Sequence, residues 1–229
     1  MMMNNEKRKF LKILCLFDLD GTITDPLDSI TKGVQHAFAA EGIEVPDRNT
    51  LKYFIGPPIR DSMLKFGITD KTQMERIYVK YLEYFNEYGL PENHLYPGII
   101  PALVKLKEAG CVLTIATSKL MLNAIKIAKY HDFEKYFDLI AGCEPDGSRS
   151  KKADVIKYVL NYMGSGYEPV MIGDTKYDII GAKEIGIKSI GCTWGYGSRE
   201  ELEENGADFI ADSAEELADI LIQRLQIFI

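Results

Sequence analysis

Short apolar runs alternate along this chain with longer amphipathic segments. The runs ILCLF (13–17), CVLTIAT (111–117), FDLIAG (137–142), PVMIGD (169–174), IKSIGCT (187–193) and ADFIA (207–211) are rich in Val, Ile, Leu and Phe. They do not alternate cleanly between apolar and polar, which suits strands covered on both faces, as in a parallel sheet. Between them, PALVKLKEAG, KLMLNAIKIAKY, KADVIKYVLNYMG and TKYDIIGAKEIG carry apolar residues at helical spacing, and three of the four end in glycine, a helix stop. SAEELADILIQRL opens with Ser213 and has Glu216 three residues later, a capping-box pattern. Strand–helix alternation of this kind predicts an α/β fold with a doubly wound parallel sheet.

One stretch breaks the alternation. From about Pro26 to Tyr96 the pattern is helical, with no convincing strand. Residues 29–42 place Ile30, Val34, Ala37 and Phe38 on one face, and residues 72–89 do the same with Met74, Ile77, Tyr78, Tyr81, Phe85 and Tyr88. An aromatic stripe at this spacing is core packing before it is a ligand platform. The predicted organisation is a core of residues 1–24 and 97–229 interrupted by a helical domain of residues 25–96, with LYPGII marking the return.

The bulk numbers narrow the partners. Of 229 residues, 46% are hydrophobic and 27% charged, ordinary for a soluble globular chain. The net charge is −7 with Lys and Arg scattered, which argues against a nucleic-acid polymer as partner and means that an anionic substrate needs a local cation. No apolar run is long enough to span a bilayer, so no membrane partner is expected. The opening MMMNNEKRKF lacks a signal-peptide core and reads as a polar tail. Cys15, Cys111, Cys143 and Cys192 are far apart, with no Cys-x-x-Cys pair. Reduced thiols and a cytoplasmic location are the expectation. Nothing in the pattern specifies an oligomeric state.

In open α/β sheets, ligands gather beyond the carboxyl ends of the strands. The first strand delivers Asp18 and Asp20 there, and the second delivers Thr117, Ser118 and Lys119. The fourth delivers Asp174, with Asp178 one helical turn later, while Lys151 and Lys152 stand at the mouth of a helix. Singly, each has an ordinary explanation as a cap, a strand end or a solvated lysine. Together they would bring carboxylates, a hydroxyl and a lysine to one sheet edge. Convergent carboxylates need a counter-ion, and hard oxygen donors without His or Cys favour Mg2+. The expected metal residues are Asp18, Asp20 (through its backbone carbonyl) and Asp174.

DLDGT at 18–22, IATSK at 115–119, the lysine near 152 and IGDTKYD at 172–178 resemble, in order, the four motifs of the haloacid dehalogenase-like phosphatases. The insert resembles the helical cap of that superfamily. GPPIRDSM and TWGYGSREEL resemble its phosphoglycolate phosphatase-like branch.

The resemblance implies Asp18 as the nucleophile forming an aspartyl-phosphate and Asp20 as general acid, then base. It implies phosphoryl contacts from Thr117 and the Ser118 amide, and Gly21 allowing close backbone approach. Lys152 would neutralise a phosphate oxygen. It is preferred over Lys151 from the inward spacing of Val155, Ile156, Val159 and Leu160, although SKKAD departs from the Lys-Pro of many relatives. Asp178 would orient Lys152 or a metal-bound water. Gly56 and Arg60 could meet the distal end of the substrate, with Arg60 suited to a carboxylate or second phosphate, or could simply stabilise the cap. The implied activity is Mg-dependent hydrolysis of a small phosphate monoester, phosphoglycolate-like or nucleotide-like. A phosphomutase is the nearest alternative, disfavoured by Thr22 where mutase-like relatives often carry Val. A phosphate-binding regulator without turnover is the third.

Overall fold

The computed structural model describes residues 12–227. The expected polar tail lies outside the described residues. Six strands form one parallel sheet: β1 (Lys12–Phe17), β4 (Val112–Leu120), β5 (Leu139–Cys143), β6 (Tyr167–Gly173), β7 (Lys188–Cys192) and β8 (Phe209–Ala211), in the order β5-β4-β1-β6-β7-β8. The chain leaves β1 toward β4 and β5 on one side and later returns to β6, β7 and β8 on the other. The loops that follow β1, β4 and β6 therefore diverge at the centre of one edge, where doubly wound sheets bind ligands.

The near-continuous apolar strands are explained by cover on both faces. Ile13, Cys15 and Phe17 point to one side, where α4 (Ile99–Glu108), α5 (Met121–Tyr130) and α9 (Ala214–Ile227) supply Leu103, Ile127 and Leu217. Leu14 and Leu16 point to the other, against Val155, Ile156 and Val159 of α6 (Lys152–Met163) and Ala182 of α7 (Lys176–Ile185). Among the described residues, no helix is long and apolar enough to cross a membrane.

Between β1 and β4 lies the helical insert. It begins and ends at a two-residue antiparallel pair, β2 (Thr24–Asp25) with β3 (His94–Leu95), which holds its two chain connections side by side. Strands this short leave no periodic trace in sequence. Inside the insert, α1 (Leu27–Ala40), α2 (Ile59–Lys65) and α3 (Lys71–Tyr84) enclose a separate apolar cluster that includes Ile30, Val34, Phe38, Phe54, Ile77 and Tyr81.

Three local expectations are corrected. Tyr88 is 48% exposed rather than buried on the aromatic face. Residues Phe85–Gly89 form a π-helical turn, whose wider winding rotates Tyr88 off the stripe that Phe85 still follows. Lys119 and Leu120 belong to β4 rather than to the next helix, because a register irregularity between Ala116 and Leu120 prolongs pairing with β5. Ser213 accepts a hydrogen bond from the Glu216 amide at 3.2 Å, but the Glu216 carboxylate accepts from the Asp212 amide at 2.8 Å, one residue before the position a strict capping box requires.

Phe38 is fully buried, with its ring centroid 5.1 Å from that of Phe66 and 6.2 Å from that of Phe54. Phe38→Ala is expected to cost about 3–5 kcal/mol, read as a lowered denaturant midpoint.

Candidate active site

The site begins where β1 ends. The Asp18 amide continues the ladder by donating to the Ile172 carbonyl at 2.8 Å. The chain then folds back around the Leu19 carbonyl, which accepts from the amides of Thr22, Ile23 and Thr24. Asp18 and Asp20 are buried in this turn. Gly21 sits at φ +90°, and a Cβ there would lie 2.1 Å from Asp174 Oδ2. Its small size thus makes room for a carboxylate as well as for a left-handed backbone.

Asp174 follows β6. Its Oδ1 accepts from the Thr22 hydroxyl at 3.2 Å and its Oδ2 from the Tyr196 amide at 2.8 Å. The TWGYG loop after β7 supplies that amide, and its glycines let it wrap closely. A Cβ on Gly195 would fall 2.3 Å from Asp174 Oδ2, and one on Gly197 would fall 2.3 Å from the Asp174 carbonyl.

Asp178 lies in the first turn of α7. Its Oδ2 accepts from the Thr175 amide at 3.1 Å and the Thr175 hydroxyl at 3.0 Å. Its Oδ1 faces Lys152 Nζ at 2.8 Å, and that ammonium also lies 2.9 Å from Asp18 Oδ1 and 3.0 Å from the Ala116 carbonyl. Lys152 is buried and Lys151, one residue earlier, is exposed. The carboxylates of Asp18, Asp174 and Asp178 each offer an oxygen within 4.8 Å of the others.

Asp20 is turned elsewhere. Both its oxygens accept from Lys119 Nζ, at 3.0 and 2.8 Å, in a second nearly buried ion pair. The sequence places Lys119 at the strand end without marking a partner for it. Thr117 is buried, and its Oγ1 accepts from the Lys119 amide at 3.2 Å, leaving the hydroxyl proton to be donated elsewhere.

These groups open into a cavity of about 260 Å³ between the sheet edge and the insert. Asp18, Asp20, Thr117, Ser118, Lys119 and Asn123 line the sheet side, and Gly56, Arg60, Tyr78 and Tyr81 face them from the insert. Gly56, at φ +102°, packs so near the Thr175 methyl that a Cβ would approach it to 3.1 Å. Arg60 reaches the cavity, but its guanidinium is held by Glu75 at 2.7 and 2.9 Å and lies 3.8 Å over the Tyr78 ring. Asn123 and the TWGYG glycines are parts of this site that periodicity does not mark, although the glycine pair is a visible sign of close backbone approach.

The sequence profile of the haloacid dehalogenase-like hydrolases matches residues 15–192. The chain belongs to the haloacid dehalogenase-like hydrolase family. It is 40% identical over 188 residues to a 5'-nucleotidase of Pseudomonas aeruginosa, covering 82% of this chain and 85% of that one. A protein of Mycobacterium tuberculosis named tyrosine-protein kinase PtkA is 33% identical over 202 residues, covering 88% and 69%. A phosphoglycolate phosphatase of Vibrio parahaemolyticus is 29% identical over 222 residues, covering 91% and 95%. The crystal structure of a predicted phosphatase from Clostridium acetobutylicum superposes with a TM-score of 0.88 at 38% identity, covering 93% and 99%. The activity is that of a phosphoric monoester hydrolase.

The electrostatics of this hydrolase ask for a cation. Three buried carboxylates lie together, and the lysine among them pairs with two, Asp18 and Asp178. Burial pushes Asp18 up to about 7 against the pull of Lys152, with Asp178 adding repulsion. Burial, then Asp178 and Asp18, drives Asp174 well above the carboxylate range. Burial alone would lower Lys152, but Asp178 and Asp18 together hold it above its ordinary value, so it stays charged. A divalent ion among hard oxygen donors relieves this frustration, and the trio with its missing positive charge fits one.

A raised carboxyl pKa means that folding favours the protonated form. The stabilisation is complete below about pH 4 and is lost as pH rises through about 7. Calorimetry in chelator should therefore show this contribution falling between about pH 4 and pH 7 and levelling off above, and Asp18→Asn should flatten the fall and stabilise the metal-free protein at pH 8 by on the order of 1–3 kcal/mol. Gly21→Ala should lower the Tm by the equivalent of about 1–3 kcal/mol, because it combines a left-handed strain with a collision against Asp174.

Proposed function

We propose that this hydrolase cleaves a small phosphate monoester through an aspartyl-phosphate on Asp18. The observation that carries the reading is the buried Asp18–Lys152–Asp178 chain beside Asp174, with Asp18 at the cavity wall. Asp18 is fixed by two contacts on Oδ1, from the Leu19 amide at 2.7 Å and from Lys152 at 2.9 Å. A carboxylate held in this way meets phosphorus in one orientation, which removes much of the entropic cost of attack.

In the first step a carboxylate oxygen of Asp18 bonds to phosphorus and the bond to the leaving oxygen breaks. Asp20 protonates that oxygen, having exchanged its contact with Lys119 for one with the leaving group. Water then attacks the aspartyl-phosphate, Asp20 accepts its proton, and Asp18 is regenerated with release of inorganic phosphate. The Thr117 hydroxyl and the Ser118 amide donate to the transferring phosphoryl oxygens, and Lys152 offsets their charge. Asp178 keeps Lys152 in place from behind.

Asp18, Asp174 and the backbone carbonyl of Asp20 would hold Mg2+, whose charge draws the anionic phosphoryl group and the anionic nucleophile together. Residues 25–96 act as a cap on a core of residues 1–24 and 97–229, with the β2–β3 pair as the stalk about which the cap closes and excludes water. The four buried free cysteines support a reducing compartment, the cytoplasm. The Thr22 hydroxyl that supports Asp174 is consistent with a hydrolase, and a small molecule is the substrate that a lidded cavity of this size admits.

Release of phosphate from p-nitrophenyl phosphate should require added Mg2+ and drop by at least about 1,000-fold in Asp18→Asn. Full turnover in excess chelator, or by that variant, would overturn the assignment.

A further inference from the structure

The loop after β7 carries a residue whose two ends belong to different parts of the molecule. Tyr196 donates its backbone amide to Asp174 Oδ2 at 2.8 Å. Its hydroxyl donates to Asp25 Oδ1, in β2 at the foot of the insert. The same oxygen accepts from the Leu27 amide at 3.0 Å and so holds the start of α1. Between those ends, the Tyr196 ring packs against the apolar cluster of the insert. Among the described residues, the other partly buried apolar side chains packed on that cluster all come from the insert itself.

On the carboxylate side the loop has little freedom. Trp194 Nε1 donates to the Thr22 carbonyl at 3.1 Å, and the Gly197 amide donates to the Asp174 carbonyl at 3.1 Å. A shift of the Asp174 carboxylate therefore carries the Tyr196 amide with it, and a tyrosine has only two rotatable side-chain bonds with which to absorb the movement. Two further polar ties join insert and core, Lys65 to Tyr177 at 2.9 Å and Lys126 to Asn86 at 2.8 Å. Both are exposed, and neither touches a carboxylate of the cluster. Asp18, Asp174 and Asp178 repel one another until a cation joins them. A divalent ion that fixes the Asp174 carboxylate fixes the Tyr196 amide, and through the ring it fixes the hydroxyl at Asp25. Linkage is reciprocal, so a stalk held by Tyr196 raises the affinity for the ion in turn.

We propose that Tyr196 is a positioning residue that couples divalent-cation binding at Asp174 to the ordering of the β2–β3 stalk. The proposal rests on the magnesium and cap readings above and adds the connection between them.

The test uses the full chain and follows two quantities apart from turnover. One is the Mg2+ dissociation constant, read from the fluorescence of Trp194, the single tryptophan of the chain. The other is hydrogen–deuterium exchange in residues 23–27 and 93–97. Saturating Mg2+ should slow exchange in both stalk segments by about fivefold or more in the unaltered protein. Tyr196→Phe keeps the ring and the amide. It should abolish most of that response and raise the dissociation constant by about fivefold or more. Asp25→Ala, which cuts the same contact from the insert side, should do likewise, and the double variant should lose no more affinity than the worse single one. A stalk that ignores saturating Mg2+ would overturn the proposal while leaving the phosphatase reading standing. A Tyr196→Phe protein that keeps either the stalk response or the original affinity would overturn it, as would fully additive losses in the double variant. An equal loss in Lys65→Met would also overturn it, because any tie between insert and core would then serve. An unaltered protein that binds no Mg2+ would remove the magnesium reading together with the proposal.

Discussion

Three carboxylates are buried at one sheet edge with a single lysine among them, and most of the unusual local structure follows from making that crowding possible. Asp18, Asp174 and Asp178 can approach only because the positions facing them carry no side chain. A Cβ on Gly21 or Gly195 would collide with Asp174, and one on Gly173 would collide with Asp178. The remaining oxygen capacity is absorbed by groups fixed in the backbone or in capping positions: the Leu19 amide on Asp18, the Tyr196 amide and Thr22 hydroxyl on Asp174, and Thr175 on Asp178. What is left over is negative charge without enough positive charge, which is the energetic basis of a cation site.

The two lysines divide the work of the site. Lys152 reaches from the start of α6 across the end of β4 to Asp18, and its stem runs against Gly181 of α7, where a Cβ would come within 2.8 Å of it. Lys119 comes from the end of β4 itself and holds Asp20 away from the trio. Asp18 and Asp20 stand two residues apart in the chain, yet each has its own cation. The insert adds little charge to this arrangement. Its contribution is a largely apolar roof, and among the described residues that line the cavity its one arginine, Arg60, is paired with Glu75.

Much of this was legible in the chain. The two-sided apolar runs announced a parallel sheet because strands buried on both faces cannot alternate with polar residues. Asp18, Thr117 and Asp174 each stood next to such a run and Lys152 at the mouth of a helix, and the edge of a doubly wound sheet was the one place where they could meet. The preference for Lys152 over Lys151 followed from helix phase, since the residue at the start of a helix that shares the phase of Val155, Ile156 and Val159 must point inward. Tyr88 escaped because a π turn changes the winding without altering the sequence pattern, and the β2–β3 pair escaped because two residues make no period.

By itself, then, the sequence determined the layers, the order of the motifs and which side chains arrive at the sheet edge, because those depend on periodicity and on short-range spacing. Only the tertiary structure decided how the arriving groups pair: Lys119 with Asp20, Asp178 with Lys152, the Tyr196 amide with Asp174, and Glu75 with Arg60. Most of those partners are separated by tens of residues, and the choice between a free and a neutralised charge rests on distances of an ångström or two that no local pattern encodes. The physical reason is that Coulomb and hydrogen-bond energies are settled by position in space, whereas burial of an apolar face is settled by position along the element.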